Sequence, residues 1–490
     1  MAGFPAALAA EFFGLCLVGA LVGMLLGALL GIGPIAVLLL SSALSPDLSG
    51  TIALLGGLFF GAQYGRSISA ILFGVPGGST AIVTMRDGHP LAEQGQAGRA
   101  LAVTLLASFV ACTVATLTIA GLAFPLKGIA LWLGPADYAA MLVLSLALAI
   151  AVAGGSPPKA LVMVVLGLLL ADVVARLNDS ETQLPIGFNA LKGSLNGYVV
   201  TIGLIVFSAA IGRLGATWSQ ATGSPPIPSV MPTWSDLRMP AGPVLRGSAI
   251  GTLIGLLPVG ALVAPFLAYR IEQSLAKDAA RFGSGAIEGV AAPEAANNAG
   301  AQAALLPMLT LGLQHNTVLA MLLGTLTISG ATPGPQLQMA SPEIFWGTIV
   351  AFWIGNLMVL AVGLSSVGAW VRLLRLPRRF VLGGLILLGC IWTYSINMSA
   401  VDPLLAVVLG FIGYGLAKRG FEPLPIVIGF LLGPQLEEFL SRALMISRGS
   451  LMPLLQRPLT TGLLLVAFLV LVMALLSWGR EAKKPALTGR

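Results

Sequence analysis

Gly61-Ala-Gln-Tyr-Gly-Arg-Ser-Ile-Ser-Ala-Ile-Leu-Phe-Gly-Val-Pro-Gly-Gly-Ser-Thr80 decides how this chain folds. A mostly apolar stretch runs into Pro76-Gly77-Gly78-Ser79-Thr80, which breaks a helix. In water such a turn is ordinary. At membrane depth, irregular backbone is tolerated only where protein or a water-filled cavity satisfies its polar groups.

The surrounding chain sets the solvent. Of 490 residues, 57% are hydrophobic and 9% charged, and the mean hydropathy is +0.95. Soluble domains carry about 25% charged residues. A water-soluble fold of this length could not hide so much apolar surface. Apolar runs include Phe12–Leu30, Ala100–Ala123, Ala139–Ala153, Ile344–Leu364 and Thr461–Trp478. The first lacks a basic leader and reads as a retained span. At roughly 20 residues per crossing, the predicted fold is an all-α polytopic membrane protein with about 10–12 transmembrane segments, some broken or re-entrant.

Composition also excludes. No G-x-x-x-x-G-K-[ST] loop is present, so transport would draw on a gradient or on another chain. The net charge of +7 sits between apolar runs, as in cytoplasmic loops, and is no nucleic-acid signature. Cys16, Cys112 and Cys390 form neither a metal spacing nor a disulfide framework. No cofactor is expected beyond a coupling cation.

Breaks of the Pro76 kind crowd two stretches, Gly31–Thr84 and Gly251–Pro335, rich in Gly, Pro, Ser and Asn. They read as broken helices and re-entrant hairpins. The polar stretch Thr217–Pro243 separates them. The expected organisation is an N-terminal repeat over 1–215, a linker loop over 216–243, a C-terminal repeat with additional spans over 244–478, and a basic cytoplasmic tail over 479–490. Two matches carry the repeat: Gly23-Met-Leu-Leu-Gly27 with Gly251-Thr-Leu-Ile-Gly255, and Phe73–Thr80 with Leu311–Val318. Paired interrupted segments in two halves point to a transporter site at the repeat interface. Arg372, Arg375, Arg378, Arg379, Lys418 and Arg419 mark cytoplasmic loops. Arg442, Arg448 and Arg457 conflict with that assignment unless Pro425–Leu436 is re-entrant.

Three constellations could carry chemistry. The Pro76–Thr80 turn offers backbone N–H groups and two hydroxyls, a setting that binds carboxylates; a plain tight turn is the alternative. Ser67 and Ser69 precede it, and Arg66 either clamps a carboxylate or snorkels to an interface. In the second constellation, Glu294, Asn297 and Asn298 share a helix face. Glu and Asn oxygens suit a hard cation; the alternative is an interfacial helix start broken by Pro293. In the third, Gln314, His315, Asn316 and Thr317 interrupt Leu305–Leu323, with His315 either a ligand for a carboxylate or proton or a packing residue. The segment Met85–Arg99, with Asp87 and His89, reads as a solvated connection. A membrane-embedded enzyme using Asp87 and His89 is a further reading.

These constellations resemble the large integral membrane subunit of the tripartite tricarboxylate transporter family, over about Ala10–Leu432. The residues that carry the resemblance are Gly61-x-x-Tyr-Gly-x-Ser-Ile-Ser-Ala-Ile-Leu72, Pro76-Gly77, Asp87-Gly-x-Pro-Leu-Ala-x-Gln-Gly-x-Ala-Gly98, Arg281-Phe-Gly-x-Gly-Ala-Ile-Glu-Gly-Val-Ala-Ala-Pro-Glu294, Asn297-Asn298 and Pro333-Gly-Pro335. The resemblance implies a secondary transporter of the bacterial inner membrane. It implies a small membrane subunit and a periplasmic substrate-binding protein as partners, di- and tricarboxylates or related organic acids as substrates, and a Na+ or H+ gradient as the drive. The chain departs from the family pattern at Leu30, Arg66 and Ala295, and at Leu313–Asn316 in place of an Ile-Pro-Gly-Ser turn.

The expected site joins Arg66, Ser67, Ser69 and Pro76–Thr80 to Asn297, Asn298 and Gln314–Thr317 around the substrate. Glu294 and Asn297 face the cation. Two inverted-topology halves meet there. The rival is a stand-alone organic-anion carrier or exporter, and a channel would need charged rings or a filter motif.

Overall fold

The computed structural model describes residues 10–28, 47–153, 156–178, 191–217, 241–257, 260–312, 317–334, 337–450 and 452–482. The linker expected over 216–243 lies mostly outside them. In the first half come α1 (Ala10–Ala28), α2 (Leu48–Phe73), α3 (Ala81–Glu93), α4 (Ala97–Trp132), α5 (Pro135–Val152) and α6 (Pro157–Asn178). Then α7 (Gly197–Thr201) passes through a π-helical turn (Ile202–Phe207) into α8 (Ser208–Thr217). The second half has α9 (Ala241–Gly255), α10 (Gly260–Leu275), α11 (Glu288–Ala303), α12 (Leu305–Leu311), α13 (Thr317–Ile328) and α14 (Pro342–Arg372). Last are α15 (Arg378–Asn397), α16 (Val401–Lys418), α17 (Leu424–Ile446) and α18 (Pro458–Ala482). No strand occurs among the described residues.

Among the described residues, ten helices are long and apolar enough to cross a bilayer. Their outer faces carry large apolar side chains in the open, among them Leu169, Phe411 and Phe468, which suits a hydrocarbon solvent. Helices α2 and α11 are not among the ten. They hold Gln63, Arg66, Glu294, Asn297 and Asn298, and the rest of the protein shields them. Every residue from Gly289 to Ala303 is buried. That burial inside protein is what makes polar helices viable at this depth. Helix α11 runs unbroken through Pro293, so the reading of a helix start there is set aside.

The two halves repeat their packing. Helix α1 lies along α2, and α9 along α11. Helix α2 packs on α14, and α11 on α4. Exchanging the halves maps each pair onto the other. Gly19, Gly23 and Gly27 press on Leu54, Leu58 and Ala62, while Gly247, Gly251 and Gly255 press on Ala292, Ala296 and Gly300. Helix α2 ends at a left-handed glycine, Gly74 at φ 65°, and so does α12, which follows α11, at Gly312 with φ 71°. These are equivalent positions in the alignment of Phe73 with Leu311.

Such seams depend on backbones approaching closely. A Cβ on Gly57 would stand 2.0 Å from the Cys16 carbonyl oxygen. Gly57→Val is therefore expected to force α1 off α2, beyond the about 1–3 kcal/mol of ordinary overpacking. Gly462→Val on α18, where a Cβ meets nothing within 4 Å, is expected to be silent. Size-exclusion profiles in detergent check this; equal profiles for both variants would remove the seam from the account.

Around this core, α5, α6, α17 and α18 pack together, and the π-helical turn, α8, α15 and α16 form a second flank. Pro425–Leu436 is not re-entrant: it lies inside the continuous helix α17. Lys418 and Arg442 thus fall at opposite ends of one span. The basic residues on the far side are partly matched by carboxylates: Arg457 pairs with buried Asp137 at 2.6 Å and Arg442 with Glu438 at 2.6 Å. The rule counts Lys and Arg rather than net charge, so the basic residues at the two ends of α17 stay in opposition.

Candidate functional site

Glu294 stands where the halves meet. It is 1% exposed, and its Oε1 accepts from Ser67 Oγ at 2.8 Å and from Thr84 Oγ1. One carboxylate thereby joins α11 to α2 and α3. Close by, Asn297 donates to Gln63 Oε1 at 3.3 Å, and Arg66 donates to the same oxygen. Asn298 donates to Ser108 Oγ on α4 at 2.7 Å and to the Glu294 carbonyl at 3.0 Å. Four residues on, Gln302 donates to Thr116 Oγ1 at 2.9 Å and to the Ile349 carbonyl at 3.2 Å. A polar stripe at i, i+4, i+8 thus runs along α11.

Glu294 Oε2, Tyr64 OH, Arg66 Nε and Gln302 Oε1 are buried here without a hydrogen-bond partner among the described residues. Arg66 and Tyr64 both lie within electrostatic reach of Glu294. Buried polar groups are paired in the great majority of cases. The carboxylate and hydroxyl oxygens are the donor type a hard cation takes.

The Pro76–Thr80 turn folds back over the end of α2. A Cβ on Gly77 would lie 2.9 Å from both Arg66 Cα and Ser69 Oγ, and one on Gly78 2.9 Å from Arg66 Cδ. Ser69 donates to the Arg66 carbonyl at 3.0 Å. Thr80 is buried and Ser79 half-buried. Arg66 does not stand alone: the turn covers it, Gln63 accepts from it, and Glu294 is its nearby countercharge. Ser67 turns its hydroxyl to Glu294, Asn297 to Gln63 and Asn298 to Ser108. Gln314, His315, Asn316 and the Thr317 side chain lie outside the described residues.

Met85–Arg99 is not a solvated connection. Its first part belongs to α3, and Asp87 is completely buried. Asp87 Oδ1 accepts from the backbone N–H groups of Gly283, Gly285 and Ala286 at 2.8, 2.9 and 2.8 Å. Its Oδ2 accepts from Tyr269 OH at 2.9 Å. Gly283 and Gly285 adopt φ 88° and 109°, so successive N–H groups converge on one anion. This nest leads directly into α11. Asp87 therefore sets where α11, with Glu294 and Asn297, begins. The sequence reading assigned no site role to Gln63, Thr84 and Gln302, and it placed Asp87 in a solvated connection. Of the first three, Gln302 left a trace, its i+4 spacing from Asn298.

Among the described residues, ten apolar spans around two buried polar helices define a multi-pass membrane protein with an internal polar site. The sequence model of the tripartite tricarboxylate transporter TctA family matches residues 13–428. An uncharacterized 52.8 kDa protein of the TAR-I ttuC' 3' region of Agrobacterium vitis is 40% identical over 482 residues, covering 97% of this chain and 95% of that protein. A second uncharacterized protein, from the TAR-II ttuC' 3' region of Agrobacterium vitis, is 42% identical over 227 residues, 46% of this chain and 94% of that protein. No solved structure matches. The chain belongs to the TctA family, the membrane transporter subunits of tripartite tricarboxylate transporters.

Proposed function

We propose that the chain is the translocating subunit of a binding-protein-dependent secondary transporter that takes up organic carboxylates across the bacterial inner membrane. A Na+ or H+ gradient drives it. A small membrane subunit and a periplasmic substrate-binding protein work with it. The observation that carries this reading is the Glu294 cluster, a buried carboxylate with an orphan oxygen at the joint between the halves. In this reading Glu294 and Asn297 hold the coupling ion, and the core of broken helices moves against the flanking spans. The halves are inverted repeats, which alternating access around a fixed site favours.

The test is uptake of labelled carboxylates into proteoliposomes with both partners under a sodium or a proton gradient. Uptake is expected to need the binding protein and one of the two gradients. Uptake without the binding protein would recast the chain as a stand-alone carrier. Asn297→Ala removes a single 3.3 Å bond, so the protein is expected to fold. Its uptake is expected to fall at least about tenfold, ~1.4 kcal/mol. Wild-type uptake by that variant would take Asn297 out of the site.

A further inference from the structure

Thr104, Ser108, Cys112 and Thr116 stand four residues apart on α4 and share one face of it. That face meets the polar stripe of α11. Asn298 reaches Ser108 at 2.7 Å and Gln302 reaches Thr116 at 2.9 Å, so the two stripes run side by side in the same direction. Counting back four residues from Ser108 and Asn298 brings Thr104 level with Glu294. From α14, Asn356 donates to the Ser108 carbonyl at 3.2 Å, and Cys112 lies beside Asn356 and Thr116. At 1.5 Å per residue this polar seam runs about 18 Å from Thr104 to Thr116. Thr104, Cys112 and Gln302 are completely buried, whereas Thr116 is half-buried. The seam thus leads away from the Asp87 nest, toward the part of α4 where Leu117 is exposed.

Holding the helices together does not account for it. The equivalent seam of the other half, α2 on α14, packs Gly56 on Gly355 and Phe59 and Phe60 on Phe352. A helix pair of this kind therefore holds without hydrogen-bonding side chains at its contacts. A purely structural seam would also satisfy what it buries. Here Thr104 Oγ1, Gln302 Oε1 and Glu294 Oε2 have no hydrogen-bond partner among the described residues.

We propose that the coupling cation reaches Glu294 along this α4–α11 seam, by a route separate from that of the acid. The inference rests on the reading of Glu294 as the cation site. Hydroxyl and amide oxygens stabilise a passing cation. The only formal charge on the two facing stripes is the Glu294 carboxylate, which repels an acid. The Pro76–Thr80 turn, where the acid is expected, lies between α2 and α3, so the two solutes arrive along different helices.

The test varies external sodium at fixed pH, and external pH at fixed sodium, in proteoliposomes with both partners. The acid is whichever of radiolabelled citrate, succinate and malate the wild type takes up best. Thr104→Val exchanges a hydroxyl for a methyl of nearly the same shape and breaks no hydrogen bond, so a structural role predicts no change. The route predicts that the cation activity for half-maximal uptake rises at least about tenfold while the KM for the acid stays the same. Thr104→Ser, which keeps the hydroxyl, is expected to match the wild type. Gln302→Leu with Thr116→Val removes both ends of the 2.9 Å bond and is expected to give the same split. Size-exclusion profiles check folding, and Thr104→Val decides by itself if the paired variant does not fold. An unchanged cation dependence in Thr104→Val, or a rise in the acid's KM alone, overturns the route and leaves the Glu294 reading standing. A wild-type chain that takes up none of these acids, or takes them up without regard to either cation, overturns both.

Discussion

Asp87→Ala is expected to eliminate the folded protein. The substitution leaves three backbone N–H groups and the Tyr269 hydroxyl facing an empty, buried space. Each stranded donor costs about 1–3 kcal/mol. Even partial relaxation leaves a loss comparable with a typical total stability of roughly 5–15 kcal/mol. No neighbour can move in easily, because Gly289 packs so closely that a Cβ there would stand 2.2 Å from Asp87 Oδ2. Asp87→Asn keeps one acceptor for the nest and is expected to be intermediate. Detergent thermal stability read by fluorescence size-exclusion measures both. A wild-type melting temperature in Asp87→Ala would show that the nest does not hold α11.

Glu294→Gln is expected to do the opposite: keep the fold and stop transport. The amide oxygen can still accept from Ser67 and Thr84, and the new amide nitrogen takes the place of Oε2, which has no partner to lose. What disappears is the negative charge beside Arg66. Uptake is expected to fall about 100-fold, ~2.7 kcal/mol, at unchanged protein level. The double variant Glu294→Gln, Arg66→Gln separates two roles. If Glu294 serves only to neutralise Arg66, the double variant recovers uptake. If Glu294 carries the coupling ion, it stays inactive. Normal uptake in the single variant would place the coupling site elsewhere.

Much of the site was legible because membrane helices leave few polar residues to explain. Glu294, Asn297 and Asn298 stood out against apolar sequence, and the structure brings them together with Ser67 and Arg66. Asp87 and His89 were just as visible but were read as solvated, because mixed charge beside a Gly and a Pro looks like a loop. Their partners are far along the chain: 196 residues separate Asp87 from Gly283, and 124 separate His89 from Arg213. No periodicity encodes pairings of that range. Arg66 also changes meaning in context, since the glycines of the following turn fold back onto it.

The amino-acid sequence by itself determined the solvent, the all-α class, the spans and the break at Pro76. Each follows from local rules: apolar length against bilayer thickness, proline and glycine against helix continuity. The equivalence of Gly74 and Gly312 was already present in the alignment of Phe73 with Leu311. Only the tertiary structure decided which polar groups meet. It turned Asp87 into the latch for α11 and made Glu294 the joint between halves. Those outcomes depend on helices far apart in the chain packing at their glycine seams, where the cost of burying a polar group selects its partner.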